Sequence, residues 1–138
     1  MIGVRHLVVY GSLRRGEGAA ALEGFGRALA YVREVAFPGI MYDLGDYAGV
    51  VLAPDAGLVR AELHTILRPS MLTALDAYER FRPFEPQPYD PRTGKGSLFV
   101  RQVIEVEGVR AYVYLYNGEK GRPLGPVVAS GEWRRSRI

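Results

Sequence analysis

Glycine and proline interrupt this chain from end to end: 17 Gly and 9 Pro are spread over 138 residues. That spacing suits many short strands joined by turns. His6 to Tyr10 (HLVVY) is a continuous apolar run of strand length, which predicts a strand buried on both faces. The turn-forming segment Gly11-Ser12-Leu13-Arg14-Arg15-Gly16 ends it. Ala28 to Phe37 predicts a second strand, broken at Pro38-Gly39 and resumed over Ile40 to Leu44. Gly49 to Ala53 and Leu58 to Leu67 follow. The latter alternates, with Val59, Ala61, Leu63 and Thr65 on one face and Arg60, Glu62 and His64 on the other. Ser97 to Val106 and Val109 to Tyr116 form a hairpin around Glu107-Gly108.

Helices are fewer. Ala19 to Phe25 has helical composition but is short. Ser70 to Phe81 is the clearest helix, with Ser70 as N-cap, an apolar stripe at Met71, Leu72, Leu75 and Tyr78, and a stop at Arg82-Pro83. Pro83 to Pro91 is a proline-rich loop outside regular structure. The helices are not interleaved as in a parallel α/β sheet. The expected class is α+β: a single domain over residues 1–138, with a largely antiparallel sheet or small barrel and one main helix.

Composition removes several function classes. The chain has no cysteine, so it has no disulfide, thiolate zinc site or cysteine nucleophile. With only His6 and His64, a histidine-rich metal site is excluded. The net charge of +3 is too small to indicate nucleic-acid binding. The basic balance is almost all arginine; Lys95 and Lys120 are the only lysines. No apolar run approaches the ~20 residues that span a bilayer. The N-terminus has Arg5 inside its short apolar stretch and does not read as a signal peptide. The expectation is a soluble cytoplasmic protein.

Two features carry chemistry. The first is the turn Tyr10-Gly11-Ser12-Leu13. Gly11 permits backbone conformations other residues avoid, and successive N–H groups in such a turn can hold a carboxylate or an oxyanion. The alternative is a plain strand-to-loop turn. The second is Glu79, which continues the stripe of Leu72 and Leu75. A carboxylate on a buried face near a helix C-terminus has its pKa pushed up, toward the range useful for proton transfer. The alternative is a structural ion pair with Arg80, Arg82 or a strand arginine. Asp76, one turn earlier, is the competing acid and is expected nearer solvent. His6 and His64 have no partner at metal-ligand spacing. Tyr112, Tyr114 and Tyr116 share one face and read as core or barrel lining. Trp133 with Arg134 and Arg135 offers a weak site for an anionic partner.

These residues together resemble the γ-glutamylcyclotransferase-like family, which includes avirulence-induced plant proteins and small bacterial relatives. The resemblance rests on VVYGSLRRGEG (Val8 to Gly18), MYDLGDYAGVV (Met41 to Val51), VRAELHTI (Val59 to Ile66), LDAYERF (Leu75 to Phe81), AYVYLYN (Ala111 to Asn117) and SGEWR (Ser130 to Arg134), in the family's order. It implies a small, partly open, mostly antiparallel β-barrel with flanking helices. It implies release of 5-oxoproline from a small γ-glutamyl compound, without metal or organic cofactor. It matches Glu79 to the family's acid/base carboxylate and Tyr10, Gly11, Ser12 and Leu13 to its substrate-binding loop. The chain departs from the family at Ala19-Ala20-Ala21, where an asparagine is common, and at Phe99, where a tyrosine is common ahead of Arg101. A rival reading is a non-catalytic module that binds a small acid in the same pocket. Within the resemblance, Arg14 and Arg101 are candidates to complement an acidic substrate or to orient Glu79. The leaving group and the oligomeric state are left open.

Overall fold

The computed structural model describes residues 3–11, 14, 25–45 and 47–133. Six strands form one sheet: β1 (His6–Val9), β2 (Leu29–Asp43), β3 (Ala48–Leu52), β4 (Leu58–Ile66), β5 (Phe99–Val106) and β6 (Val109–Tyr116), in the order β3-β2-β4-β1-β6-β5. The sheet is mixed. β1 runs parallel to β6, while the other neighbouring pairs are antiparallel. β1 lies inside the sheet, so both its faces are covered, as its unbroken apolar run requires. Val8 enters one core with Val35, Phe37, Val59, Leu63 and Val113. Leu7 and Val9 enter a second core with Phe25, Met71 and Leu75.

β2 does not break at Pro38-Gly39. It runs through, because its partner changes there: residues up to Pro38 pair with β4, and residues from Gly39 onward pair with β3. Proline is tolerated at such a handover, where a ladder bond is already lost. Glycine is required, since a Cβ on Gly39 would sit 2.9 Å from the Val51 carbonyl oxygen. The bend folds β3 back over the sheet. A Cβ on Gly49 would lie 2.8 Å from the Tyr116 ring, so β3 touches β6 although the two are not hydrogen-bonded neighbours. The result is a curled half-barrel.

Among the described residues there is one α-helix, α1 (Met71–Tyr78), and one 3-10 turn, Phe25–Arg27. Of the expected flanking helices, α1 falls among the described residues, while residues 19–24 of the Ala19 to Phe25 segment lie outside them. α1 is shorter than the apolar pattern suggested. Ser70 holds the N-cap position but its side chain makes no capping bond. At the other end Arg80 takes a left-handed φ of 54°. Phe81 N–H donates to the Asp76 carbonyl (2.8 Å) and Arg80 N–H to the Ala77 carbonyl (3.2 Å). This is a Schellman stop, which closes the helix before Arg82-Pro83 is reached. No helix among the described residues is long and apolar enough to cross a membrane.

The β5–β6 hairpin turns as expected: Glu107 (φ 47°) and Gly108 (φ 82°) both have positive φ, as a two-residue primed turn needs. The polar face of β4 differs from expectation. Arg60 is exposed, but Glu62 and His64 are buried at 7% and 5% exposure, because the second core extends over that end of the strand. They bond to each other, His64 Nε2 to Glu62 Oε1, at 3.1 Å. Trp133 is also buried, at 2% exposure, in the first core. It is a core residue, not part of an exposed basic end; Arg134 and Arg135 lie outside the described residues.

Candidate active site

A cavity of about 460 Å³ opens where β1 ends, between the start of β3, the end of α1 and the β5–β6 pair. Tyr10, Gly11, Ala48, Glu79, Phe99 and Tyr114 line it together with Tyr47, Glu119 and Arg122. Glu79 is the C-cap of α1, so the Schellman stop sets where its side chain leaves the helix. It is partly buried, and no hydrogen bond or ion pair reaches its carboxylate among the described residues. The arginines that were rivals for it are engaged elsewhere. Arg80 stacks over Tyr89 at 5.2 Å and Arg82 pairs with Glu85 at 3.2 Å. Burial therefore acts unopposed and raises the Glu79 pKa from 4.5 to about 8.

Asp76 has the opposite environment. It accepts a hydrogen bond from the Tyr114 hydroxyl and pairs with Arg101 at 3.3 Å. Arg101 in turn stacks on Tyr112 at 4.9 Å. Asp76, expected nearer solvent than Glu79, is a paired carboxylate that is only 17% exposed. Arg101 pairs with Asp76, and no ion pair joins it to Glu79 among the described residues. Burial, and then the Asp76 bond, hold the Tyr114 hydroxyl well above its ordinary pKa, so it stays a donor. Tyr114→Phe strands a buried carboxylate without this donor, and should cost about 1–3 kcal/mol in urea denaturation. A loss below ~0.3 kcal/mol would show that the bond contributes nothing.

The loop is brought to the same cavity. Tyr10 and Gly11 both line it. The Tyr10 hydroxyl donates to the Tyr114 carbonyl at 2.6 Å, which anchors the loop's root to β6. Burial, and then the nearby Glu79, keep this phenol protonated. Gly11 does not adopt positive φ, so its value here is not backbone conformation. A Cβ there would meet nothing within 4 Å among the described residues. Arg14 N–H closes a turn onto the Gly11 carbonyl at 3.1 Å. The Arg14 guanidinium bonds the Trp133 carbonyl and lies 3.8 Å from Glu132, so it fastens the loop to the C-terminal segment. Ser12 and Leu13 lie outside the described residues.

The opposite wall was not anticipated from the sequence. Tyr47 donates to Glu119 Oε2 at 2.8 Å, and Arg122 stands 3.6 Å from the same carboxylate oxygen. Arg122 also bonds the Leu44 carbonyl and the Tyr47 hydroxyl, which holds its guanidinium at the cavity edge. The only sequence signal was the cluster of charges in Asn117 to Arg122, within a segment read as irregular. Phe99 packs edge-to-face on Tyr47 (5.9 Å) and Tyr116 (5.8 Å), so it forms an apolar wall.

The chain is thus of the curled, mixed half-barrel class, with an unpaired acid lining one cavity together with Tyr10 and Gly11 at the end of β1. The chain belongs to the gamma-glutamyl cyclotransferase, AIG2-like, family, whose pattern matches residues 7–135. Comparison with curated proteins finds no match. Among solved structures it is similar to protein YtfP from Escherichia coli, with 27% identity, a TM-score of 0.61 and coverage of 93% of this chain and 95% of that one. It is similar to the uncharacterized protein PH0828 from Pyrococcus horikoshii, with 14% identity, a TM-score of 0.64 and coverage of 94% and 89%. It is also similar to an AIG2-like protein from Mus musculus, with 18% identity, a TM-score of 0.56 and coverage of 83% and 78%. The last two likenesses concern the fold.

Proposed function

We propose that this protein is a cofactor-independent cyclotransferase that releases 5-oxoproline from a small γ-glutamyl amine or peptide, with neither nucleic acid nor membrane as a partner. The observation that carries the reading is the Glu79 carboxylate, without a countercharge, in a cavity it shares with Tyr10 and Gly11. A module that only binds small acids gains nothing from an unpaired carboxylate, which repels its ligand when ionised.

The substrate's α-ammonium cannot attack until it loses a proton. Glu79 takes that proton, and the amine nitrogen adds to the γ-carbonyl carbon. The carbonyl oxygen becomes negative and is met by N–H groups of the Tyr10 to Leu13 loop. Glu79 then gives the proton to the leaving nitrogen, the original C–N bond breaks, the ring nitrogen passes its second proton to the departing amine, and 5-oxoproline and an ammonium product result. Glu79 is unchanged at the end. Holding both ends of a five-membered ring closure in one cavity exploits intramolecular proximity.

The pH dependence follows from the sign of the shift. In the free enzyme Glu79 is protonated below about pH 8 and is then no base. The ratio kcat/KM should fall tenfold per pH unit below about 8, and fall again above the pKa of the substrate's own amine. A pH profile of 5-oxoproline release measures this. An acidic limb at an ordinary carboxylate pKa would remove Glu79 from the role.

A further inference from the structure

The two lysines of the chain, Lys95 and Lys120, fall at one place. Both line a second cavity of about 700 Å³, which also has Asp90, Tyr116, Glu119 and Arg122 on its walls. Glu119 and Arg122 line the first cavity as well, so the two spaces adjoin across this pair. The outer cavity is held in shape by Ser97, which is fully buried and bonds both the backbone N–H and the carbonyl of Arg82. Short bridges Pro88↔Ser97 and Asp90↔Lys95 tie down the proline-rich loop above it.

Its charges do not cancel. Lys120 stands 4.0 Å from Asp90, and Arg122 stands 3.6 Å from Glu119. The Lys95 ammonium has no ion pair among the described residues. Three cations thus face two carboxylates, leaving a single positive charge for a ligand to meet. We propose that this outer cavity holds the leaving half of the substrate and selects one that carries a carboxylate, with Lys95 as its counter-ion. The inference rests on the cyclotransferase reading. The two cavities share Glu119 and Arg122, which puts this space next to the one that holds Glu79. The preferred substrates are therefore γ-glutamyl amino acids or peptides with a free C-terminus, over γ-glutamyl amines.

The test uses γ-glutamyl-alanine and γ-glutamyl-alaninamide, which differ only in that carboxylate. The wild type should favour the acid by about tenfold in kcat/KM, mostly through KM. In Lys95→Glu the acid-to-amide ratio should fall at least tenfold. A wild-type ratio near one, or a Lys95→Glu loss shared equally by both compounds, overturns the proposal. Calorimetric Kd values for both compounds in Glu79→Gln separate it from the parent reading. If no compound yields 5-oxoproline, the cyclotransferase reading fails while this measurement still decides the pocket. Preference for the acid that Lys95→Glu removes upholds it; equal affinities, or no binding of either compound, overturn it.

Discussion

Glu79→Gln should lower 5-oxoproline release by 10²- to 10⁴-fold and, at the same time, make the protein more stable at alkaline pH. The first effect follows from the loss of the unpaired carboxylate to which the proposed reaction assigns the proton. The second follows from linkage. An ordinary glutamate ionises near 4.5, whereas burial moves Glu79 to about 8. The fold therefore prefers the protonated acid. Stability tied to this group is complete below pH 4.5, declines as pH rises toward 8, and stays low above it. Glutamine never ionises and escapes that loss. Each factor of ten is worth about 1.4 kcal/mol, and the cavity's access to solvent trims the total. The variant should gain on the order of 2–4 kcal/mol at pH 8.5 and little at pH 5. Urea denaturation at the two pH values, beside an activity assay, reads both effects. Lost activity with equal stability at both pH values would mean that Glu79 is not desolvated. Retained activity would end the acid/base assignment.

Trp133→Ala should destabilise the protein by about 3–5 kcal/mol. That is a large part of the 5–15 kcal/mol that holds a typical domain together. Trp133 packs beside Val8, Val59, Leu63 and Val113, and its carbonyl receives the Arg14 guanidinium that fastens the turn after β1. Its approach depends on Gly131, where φ is +70° and a Cβ would lie 1.9 Å from the Leu58 carbonyl oxygen. Arg60 N–H bonds the Gly131 carbonyl at 2.7 Å, so the segment joins the edge of β4 before the indole enters the core. Circular dichroism in urea tests the prediction. A change under ~1 kcal/mol would return Trp133 to the surface role suggested by its basic neighbours. Trp133→Phe, which keeps an aromatic ring there, should recover at least half of the loss.

Much of the fold was legible because its signals are local. The apolar run His6 to Tyr10, the alternation in Leu58 to Leu67 and the Glu107-Gly108 turn each act within a few residues. The errors came where a partner overrode local chemistry. Pro38-Gly39 reads as a break, yet β2 continues because β3 takes over from β4 there. Glu62 and His64 stand with Arg60 on the charged face of β4, yet both are buried. Trp133 sat in a short basic tail, and nothing near it in sequence announced the core it fills.

The site divides along the same line. Glu79 was legible because it stands on an apolar helical stripe, and the turn after β1 was legible from its glycine. Whether Glu79 was paired was not legible. Arg101 is drawn to Asp76 and Tyr114, Arg82 to Glu85, and Arg80 to Tyr89. Those choices depend on which strands lie beside the helix. Tyr47, Glu119 and Arg122 meet only because the curled sheet brings the β2–β3 connection against the segment after β6. The sequence alone determined the strand-rich class, the family and the one acid out of place on its helix, since periodicity and turn chemistry are written in neighbouring residues. The tertiary structure alone decided that this acid stands uncompensated and that Lys95, in the adjoining cavity, has no ion pair among the described residues. Charge balance is a sum over groups far apart in the chain, and no local pattern contains it.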